Sequence, residues 1–454
     1  MLWQRVESEG LAHYSYLVGR DGEGLVVDPR LDVDAYEDLL AGSGHRLRYI
    51  FETHRHEDFL VGSVELAART GAEIWHADSQ FEYAYGHAAT DGQEWQVGSL
   101  RIRALSTPGH TPGHLSYVVS DQGGSPWAVF TGDALFAGGV GRTDLAGAGM
   151  VDELTQQLFH SVTERLLPLG DGVLLCPAHG TGSVCGAGPI ADRAWSTLGY
   201  ERAHNPVLGL DEKTFVERHA KRLDVPPYFP LMEKRNLEGA RLPGGLPRPT
   251  PLSPGGFDEA RSTAQVLDVR EVVAVGGGHV PGSLCIPQSE APLFAGWFLS
   301  HEQPLLAVLA GSDPEPLVRA LIRLGYDRFS GYLAGGLQAW YSAGLLIHQI
   351  ECLTVADAHA RWSEDKWLRV LDVRSPQELE ASGEIPGAVN VPVREIVDRL
   401  DEIPGGGDLM LFCGSGRRSM IAASLLRQRG WERLSVVLGG IQAWNSIAAG
   451  SAST

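Results

Sequence analysis

The sequence has few cysteines, and it lacks long apolar segments and runs of basic residues. No stretch of about 18 consecutive apolar residues occurs, so no transmembrane helix is predicted. The five cysteines are odd in number and scattered, which argues against a disulfide framework and fits a reducing compartment. The first residues carry no apolar segment of the kind found in signal peptides. We therefore expect a cytoplasmic protein.

The charge balance is strongly acidic. The 454 residues include 56 acidic and 37 basic side chains, a formal net charge of −19. Proteins that bind phosphate backbones or anionic lipid surfaces need clusters of lysine and arginine. The composition therefore argues against nucleic acid and membrane surfaces as partners. A chain of this length exceeds one compact core and predicts about three domains.

Four short segments of the N-terminal half carry imidazole or carboxylate groups directly after apolar runs. The first is Thr53-His54-Arg55-His56-Glu57-Asp58-Phe59, and the others contain His110, Asp133 and His179. A single histidine is more often a hydrogen-bonded structural residue than a ligand. Four such segments at predicted strand ends indicate a metal site at the edge of an α/β sheet.

In their order along the chain, these segments resemble the motifs of the metallo-β-lactamase superfamily. The matching stretches are the histidine motif at 54–58, the Gly-His-Thr-Pro-Gly-His turn at 109–114, Gly132-Asp133 and the final His179. The resemblance covers about residues 1–240 and implies an αββα sandwich.

One departure from this family concerns the number of metals. Members with two metals carry an Asp-His pair at the positions of Asp58 and Phe59, and phenylalanine cannot bind a metal. The resemblance leaves His54, His110 and Asp133 as a complete set, which suits non-haem Fe(II). The same pattern is found in the persulfide dioxygenase branch, which also shares the stretch 139–144. We predict one Fe(II) per chain, with zinc as the alternative.

The sequence is compatible with more than one role for the neighbouring polar residues. We expect His56, Asp58 and His179 to hydrogen-bond around the metal ligands, a second metal and a purely structural role being the alternatives. Arg142 either binds a carboxylate of a thiol substrate or forms a salt bridge with Asp144.

Two further residues, His114 and Cys185, lie within or near these motifs in the sequence. His114 is expected to be structural. Cys185 follows His179 closely, and is either a thiol relay near the metal or a small buried apolar residue.

The C-terminal half repeats itself with a period of about a hundred residues, too long for a solenoid. Residues 266–271 recur at 370–375, and residues 333–340 recur at 437–444. Short strands alternate with helices in each copy, which predicts parallel sheets. Both copies resemble rhodanese domains. Proline and glycine are frequent between residues 242 and 251, as in a linker.

We therefore predict three α/β domains. They are a metal domain at 1–245, a rhodanese-like domain without the active cysteine at 246–348, and an active rhodanese domain at 349–454.

The second rhodanese copy contains a complete sulfurtransfer loop. Cys413 ends an apolar run, and a small-residue loop then opens onto a predicted helix. Backbone N–H groups and the helix N-terminus lower the pKa of a thiol in this position and favour an anionic persulfide. The resemblance assigns the persulfide to Cys413 and stabilisation of the incoming anion to Arg418. The other residues of this loop are Gly414, Ser415, Gly416, Arg417 and Ser419.

The first copy differs at the equivalent loop. Ala310 replaces the nucleophile, and Asp313 and Glu315 stand where glycine and arginine are expected. This copy cannot form a persulfide and should repel anions. We expect it to have a structural or interface role, and we expect the protein to form homo-oligomers.

Three functions remain open. The resemblances imply an iron-dependent persulfide dioxygenase with thiosulfate sulfurtransferase activity, of use in sulfide detoxification. Its substrates would be glutathione persulfide or an analogue, dioxygen, and thiosulfate or sulfite. The second is a metal-dependent thioester hydrolase of the glyoxalase II type, with zinc activating water. The third is a sulfur carrier whose metal domain is inactive.

Overall fold

The structure is a computed structural model. It describes residues 1–365 and 368–451, the last five of them without their side chains. The chain divides into two compact units, one formed by Met1–Leu246 with Arg319–Gly325 and the other by Pro247–Val318 with Tyr326–Thr454. Residues 366, 367 and 452–454, within the predicted third domain, lie outside the description.

The first unit contains fourteen strands and six α-helices within its N-terminal segment. The strands are β1 Leu2–Ser8, β2 His13–Arg20, β3 Glu23–Val27, β4 Arg46–Glu52, β5 Glu73–His76, β6 His87–Ala88, β7 Glu94–Val97, β8 Leu100–Ser106, β9 Leu115–Ser120, β10 Pro126–Gly132, β11 Leu135–Phe136, β12 Gly139–Val140, β13 Leu174–Pro177 and β14 Ser196–Thr197. The helices are α1 Asp34–Ser43, α2 Ser63–Thr70, α3 Val151–His160, α4 Leu198–His204, α5 Glu212–His219 and α6 Phe229–Glu238.

Two six-stranded sheets form the centre of this unit. Their strand orders are β1-β2-β3-β4-β5-β6 and β14-β13-β10-β9-β8-β7. A core that includes Val18, Phe51, Tyr117 and Phe130 lies between the sheets. The outer face of the first sheet packs with residues of α1 and α2, and that of the second with residues of α3 to α5. The predicted αββα sandwich is therefore confirmed.

The described residues of the second unit form ten strands and nine α-helices, and one of these helices crosses the division between the units. The strands are β15 Pro251–Leu252, β16 Gln265–Asp268, β17 Leu284–Cys285, β18 Leu305–Val308, β19 Phe329–Leu333, β20 Glu351–Leu353, β21 Arg369–Asp372, β22 Val389–Asn390, β23 Leu409–Phe412 and β24 Leu434–Val437. The helices are α7 Pro254–Ala260, α8 Val272–Gly277, α9 Ala291–Phe298, α10 Glu315–Arg323, α11 Gly336–Ser342, α12 Val355–Glu364, α13 Pro376–Ser382, α14 Arg417–Gln428 and α15 Gly440–Ser451.

The two repeated copies have the same topology. Their five-stranded sheets run in the orders β15-β19-β18-β16-β17 and β20-β24-β23-β21-β22. Every neighbouring pair in both sheets is parallel, which confirms the predicted parallel sheets. Trp340 and Trp444, equivalent in the sequence repeat, occupy equivalent positions in the two cores. The predicted limits of the three domains stay a prediction.

Among the described residues, no helix combines the length and the apolar character that crossing a membrane requires.

Candidate metal centre and sulfurtransfer loop

The three predicted metal ligands converge from the ends of three strands. His54 follows β4, His110 follows β8, and Asp133 follows β10 directly. All three side chains are fully buried. The Nε2 atom of His54 lies 3.7 Å from Oδ2 of Asp133, and that of His110 lies 3.4 Å from the same oxygen. Metal–donor distances of about 2.1 Å place adjacent donors about 3 Å apart, so the three atoms are close enough to share one ion.

The opposite ring nitrogens of both histidines are fixed by hydrogen bonds. Nδ1 of His110 donates to the carbonyl of Arg142 at 2.8 Å. Nδ1 of His54 lies 2.9 Å from Oγ1 of Thr53, whose hydroxyl donates to Asp28 and thus accepts from the ring. This tautomer leaves both Nε2 lone pairs free for a metal. Both Nε2 atoms are buried without a hydrogen-bond partner in the described structure, so the donor set fits a metal ion.

The charge states of these groups also suit metal binding. Burial, and then the neighbouring histidines, hold the pKa of His54 well below its usual value. Burial likewise lowers the pKa of His110, so both rings are neutral at neutral pH. Burial works to raise the pKa of Asp133, but the nearby His179 lowers it below the usual value. Two neutral imidazoles and one carboxylate are therefore available as ligands.

His179 links two carboxylates. Its Nδ1 lies 2.8 Å from Oδ1 of Asp133, and its Nε2 lies 2.9 Å from Oδ2 of Asp58. Burial disfavours a charged ring, yet Asp133 and Asp58 raise the pKa of His179 well above its usual value. The imidazolium orients Asp133. This is the arrangement expected of residues that surround a metal ligand, and the roles of Asp58 and His179 stay a prediction.

His56 lies beside the ligands and not among them. Its Nε2 is 3.1 Å from Oδ1 of Asp28, and its ring centroid is 4.1 Å from that of His54. Burial opposes its protonation, but the charge of Asp28 raises the pKa of His56. Asp28 also accepts from Thr53 and thereby holds the loop that carries His54.

Phe59 occupies an apolar position next to the centre. Its buried ring packs on the ring of His13 at a centroid distance of 3.9 Å and on that of His56 at 4.6 Å. His13 was not predicted to be near the site. Its Nδ1 lies 3.0 Å from Ser8 Oγ, and its Nε2 is buried without a partner. No local pattern marks this histidine, because it comes from β2 and not from the motif loops.

Glu57 is a second neighbour that the sequence did not predict. Its side chain is fully buried, and its Oε2 lies 3.9 Å from Nε2 of His110. Burial raises the pKa of Glu57 well above its usual value, although Arg55 lowers it. Its only sequence signal is its place within the histidine motif.

The guanidinium of Arg142 is hydrogen bonded to other groups of the protein. Its guanidinium forms a two-pronged salt bridge with Asp144 at 2.6 and 2.8 Å. Its remaining N–H groups donate to the carbonyls of Leu223 and Asp224. The structure thus contains the salt bridge that was the alternative to substrate binding. A substrate contact would require Arg142 to leave Asp144, and it stays a prediction.

His114 and Cys185 both lie close to Asp133. Nε2 of His114 accepts the backbone N–H of Asp133 at 3.1 Å, and its Nδ1 bonds with Thr107. Burial lowers the pKa of His114 to about 3, so the ring is neutral and holds the backbone. The buried Cys185 thiol lies within 4.8 Å of donor atoms of His110 and Asp133. The thiol is therefore close to two of the proposed metal ligands.

The loop predicted to transfer sulfur lies between a strand and a helix. Cys413 follows β23, and α14 begins at Arg417. Gly416 has a positive φ of 104°, and its N–H donates to the buried sulfur of Cys413 at 3.0 Å. The sulfur of Cys413 thus lies in front of the N-terminus of a twelve-residue helix, where an anionic sulfur is stabilised. The hydroxyl of Ser419 is buried without a partner in the described structure.

Both arginines of this loop have carboxylate partners. Arg418 donates to the two oxygens of Glu378 at 2.6 Å each, and Arg417 lies 3.2 Å from Glu290. The hydrogen bonds of Arg418 lower the pKa of Glu378 to about 2. Arg418 is therefore held in one orientation. Its contact with an incoming anion stays a prediction.

The corresponding loop of the first copy is exposed. Ala310, Gly311, Ser312 and Asp313 are all open to solvent, and Asp313 accepts the backbone N–H of Glu315. With no thiol and two carboxylates, this loop has no group that could carry sulfur.

Comparisons with known proteins agree with both halves of the chain. The family model described as "Metallo-beta-lactamase superfamily" matches residues 9–179. The model described as "Rhodanese-like domain" matches residues 255–343 and 354–447.

Two similar proteins illustrate the range of relatives. The chain is 31% identical over 219 residues to the mitochondrial persulfide dioxygenase ETHE1 of Bos taurus, covering 45% of this chain and 74% of the relative. It is 34% identical over 169 residues to the hydroxyacylglutathione hydrolase of Acidiphilium cryptum (strain JF-5), covering 37% of this chain and 64% of the relative.

A solved structure matches beyond the metal domain. The crystal structure of a metallo-beta-lactamase from Staphylococcus aureus subsp. aureus COL is 28% identical and has a TM-score of 0.65. It covers 74% of this chain and 99% of its own chain. Together with the two sheets and the duplicated parallel domains, these similarities establish that the chain belongs to the metallo-beta-lactamase superfamily and carries two rhodanese-like domains, with persulfide dioxygenases and hydroxyacylglutathione hydrolases among its homologues.

Proposed function

We propose that the protein is a non-haem iron persulfide dioxygenase that also transfers sulfur through Cys413. Its substrate would be a low-molecular-weight thiol persulfide, such as glutathione persulfide or an analogue. In the overall reaction the persulfide, dioxygen and one water give the thiol and sulfite. Two of the three sulfite oxygens come from dioxygen and one from water, and the terminal sulfur loses four electrons to dioxygen.

The observation that carries this proposal is the pair of unpartnered Nε2 atoms facing one carboxylate. His54, His110 and Asp133 offer two imidazoles and one carboxylate on one side of a buried space. This set with open positions is the one that suits non-haem Fe(II). When bound, Fe(II) would supply positions for the persulfide and for dioxygen, and one-electron chemistry between them.

The surrounding residues support a single metal. Phe59 fills the position of a donor that two-metal members possess, and its ring is packed between two histidines. His179 is hydrogen bonded to carboxylates through both ring nitrogens. Around the ligands, the Arg142 carbonyl and Thr53 orient the rings, and the fully buried walls exclude bulk water.

Sulfurtransfer would use the loop of the second rhodanese copy. The Cys413 thiolate attacks the outer sulfur of thiosulfate, the S–S bond of thiosulfate breaks, and sulfite leaves. A Cys413 persulfide remains, and an acceptor thiol removes its outer sulfur. The reverse direction would make thiosulfate from sulfite. The N–H of Gly416 and the start of α14 support the negative charge on sulfur in both directions.

A thioester hydrolase is the second candidate. The hydroxyacylglutathione hydrolase of Acidiphilium cryptum is 34% identical over its matched part, and Asp58 and His179 remain in place. Phe59 and the rhodanese-like domains argue against it, since thioester hydrolysis needs no sulfur carrier. Cleavage of a glutathione thioester by the zinc-loaded protein, without oxygen uptake, would favour this reaction.

Two variants separate the proposed activities. Asp133→Ala should lower persulfide-dependent oxygen uptake by at least about a hundredfold, because it removes a metal ligand. It should leave thiosulfate sulfurtransfer unchanged. Cys413→Ser should do the opposite. Asp152→Ala, which removes an exposed carboxylate of α3, and Cys352→Ser, which removes a half-buried thiol, are the controls. Loss of both activities in either active-site variant would contradict two separable sites.

A further inference from the structure

Glu57 is a buried carboxylate to which the proposed reaction assigns no role. Its side chain is inaccessible to solvent, and its Oε2 has no hydrogen-bond partner among the described residues. Burying a carboxylate oxygen without a partner is costly in free energy. A cation bound at this oxygen would offset that cost.

The unpartnered oxygen lies close to the proposed ligands His54 and His110. Donor atoms of Glu57, His54 and His110 all lie within 4.8 Å of one another, and Oε2 is 3.9 Å from Nε2 of His110. Donors of one octahedral ion are separated by about 3 Å when adjacent and by about 4.2 Å when opposite, for metal–donor distances of about 2.1 Å. The spacing of Oε2 from His110 falls between these values. Glu57 can thus bind the same ion as His54 and His110.

The other oxygen of Glu57 is held from outside the centre. Nη2 of Arg55 lies 3.4 Å from Oε1 of Glu57 and 3.0 Å from Glu233. A carboxylate that is anchored through one oxygen and open at the other is arranged as a ligand whose orientation is set by its neighbours. The same contact explains why Glu57 does not turn away from the histidines.

We propose that Glu57 is a fourth protein ligand of the metal held by His54, His110 and Asp133. This inference rests on the proposed metal site. Two carboxylates then neutralise a divalent ion in a buried, low-dielectric space. A six-coordinate ion keeps two exchangeable positions instead of three. Those two positions suffice for one persulfide sulfur and one dioxygen, and no position remains for an additional water.

The test uses Mn(II) as the probe in the full-length protein, so that coordination is measured without turnover. Glu57→Ala is expected to weaken Mn(II) and anaerobic Fe(II) binding by at least about tenfold, measured by competition with a chelator. It is also expected to raise the water-proton relaxivity of the Mn(II) form by about half, because three water positions replace two. Glu57→Gln, which keeps the shape, is expected to weaken binding in the same direction and serves if the alanine variant does not fold.

Glu233→Gln is the matched control, because it removes the other carboxylate of Arg55 without changing the centre. It should leave affinity and relaxivity unchanged. If the Glu57 variants bind metal as tightly as the wild type, Glu57 is not a ligand. Weaker binding with unchanged relaxivity overturns the inference too, since it shows a charge effect from outside the coordination sphere. If the wild type itself binds neither ion, the proposed metal site fails rather than the role of Glu57.

Discussion

We predict that single residues decide how many metals the proposed centre holds. Phe59 places an apolar ring where a second imidazole would be needed, and that ring is packed against His13 and His56. The remaining second-site groups, Asp58 and His179, are hydrogen bonded to each other. In this geometry the carboxylate and imidazole satisfy one another and orient Asp133.

Phe59→His restores the missing donor and should raise the metal content from about one to about two ions per chain, because Asp58 and His179 are already in place. Metal analysis after anaerobic loading measures this. Phe59→Leu keeps the position apolar and should hold one ion. If the histidine variant also holds one, then the bond between Asp58 and His179, and not Phe59, excludes the second ion.

The pair Glu378–Arg418 gives a pH-dependent prediction. Hydrogen bonds from Arg418 lower the pKa of Glu378 from 4.5 to about 2. A lowered carboxyl pKa stabilises the folded protein fully above about pH 4.5, and this contribution is lost as the pH falls towards 2. Since the Glu378 side chain is 39% exposed, we expect the contribution to be below about 1 kcal/mol. The difference in unfolding free energy between wild type and Glu378→Gln should shrink from neutral to acidic pH, as measured by urea titration. A difference that is the same at every pH would contradict the pairing.

Residues within the sequence motifs could be predicted, and residues brought in by the fold could not. His54, His110 and Asp133 each end a strand in a recognisable motif, so their convergence followed from the fold. His13 comes from β2 and meets the centre only through sheet packing. Glu57 lies inside the motif, but nothing in the sequence tells that its oxygen faces His110. The partners of Arg142 at Leu223 and Asp224 also depend on a distant loop.

At the scale of elements, a strand of the first rhodanese-like copy is hydrogen bonded to the helix that follows Cys413 in the second copy. The N–H of Cys285 in β17 donates to the buried hydroxyl of Ser424 in α14 at 3.0 Å. Ser424 also donates to the carbonyl of Ile421 within the helix. The helix that follows Cys413 is therefore connected to a strand of the copy in which Ala310 replaces the loop cysteine. This contact agrees with the predicted structural role of the first copy.

Ser424→Ala should lower the free energy of unfolding by about 1–3 kcal/mol, because it leaves the buried N–H of Cys285 without an acceptor. Urea unfolding, followed by circular dichroism and by Cys413-dependent sulfurtransfer, measures this. Ser446→Ala is the control, since that exposed helical hydroxyl bonds only with the carbonyl of Gln442 among the described contacts. Equal stability of both variants would show that the connection between the copies contributes nothing.

The regular elements followed from the sequence more directly than the loops. The repeated phrases predicted two copies with parallel sheets, and both sheets have the same strand order. Apolar runs at strand length are enough to place strands, because burial on both faces needs continuous apolar sequence. Where α14 begins was less clear. The helix starts at Arg417, immediately after the loop, because Gly416 with its positive φ closes the turn.

At the scale of the whole molecule, the two chemical groups belong to different compact units. The proposed metal ligands lie in the first unit and Cys413 lies in the second. Because the two sites share no residues, loss of one site should leave the activity of the other unchanged. In the proposed function, sulfite formed at the metal site is a substrate for sulfurtransfer at Cys413, which would give the presence of both sites in one chain a chemical reason.

Metal removal tests this independence. Dialysis against a chelator should abolish persulfide-dependent oxygen uptake and leave thiosulfate sulfurtransfer within about twofold of its starting value. Readdition of Fe(II) under anaerobic conditions should restore oxygen uptake. A loss of sulfurtransfer that returns with the metal would instead indicate that Cys413 depends on the metal centre.

The most direct test of the proposed function is the metal content of anaerobically purified protein, followed by oxygen consumption with glutathione persulfide. We predict about one iron per chain and persulfide-dependent oxygen uptake with formation of sulfite. Zinc in place of iron, no oxygen uptake, and cleavage of a glutathione thioester would contradict the dioxygenase and identify a hydrolase.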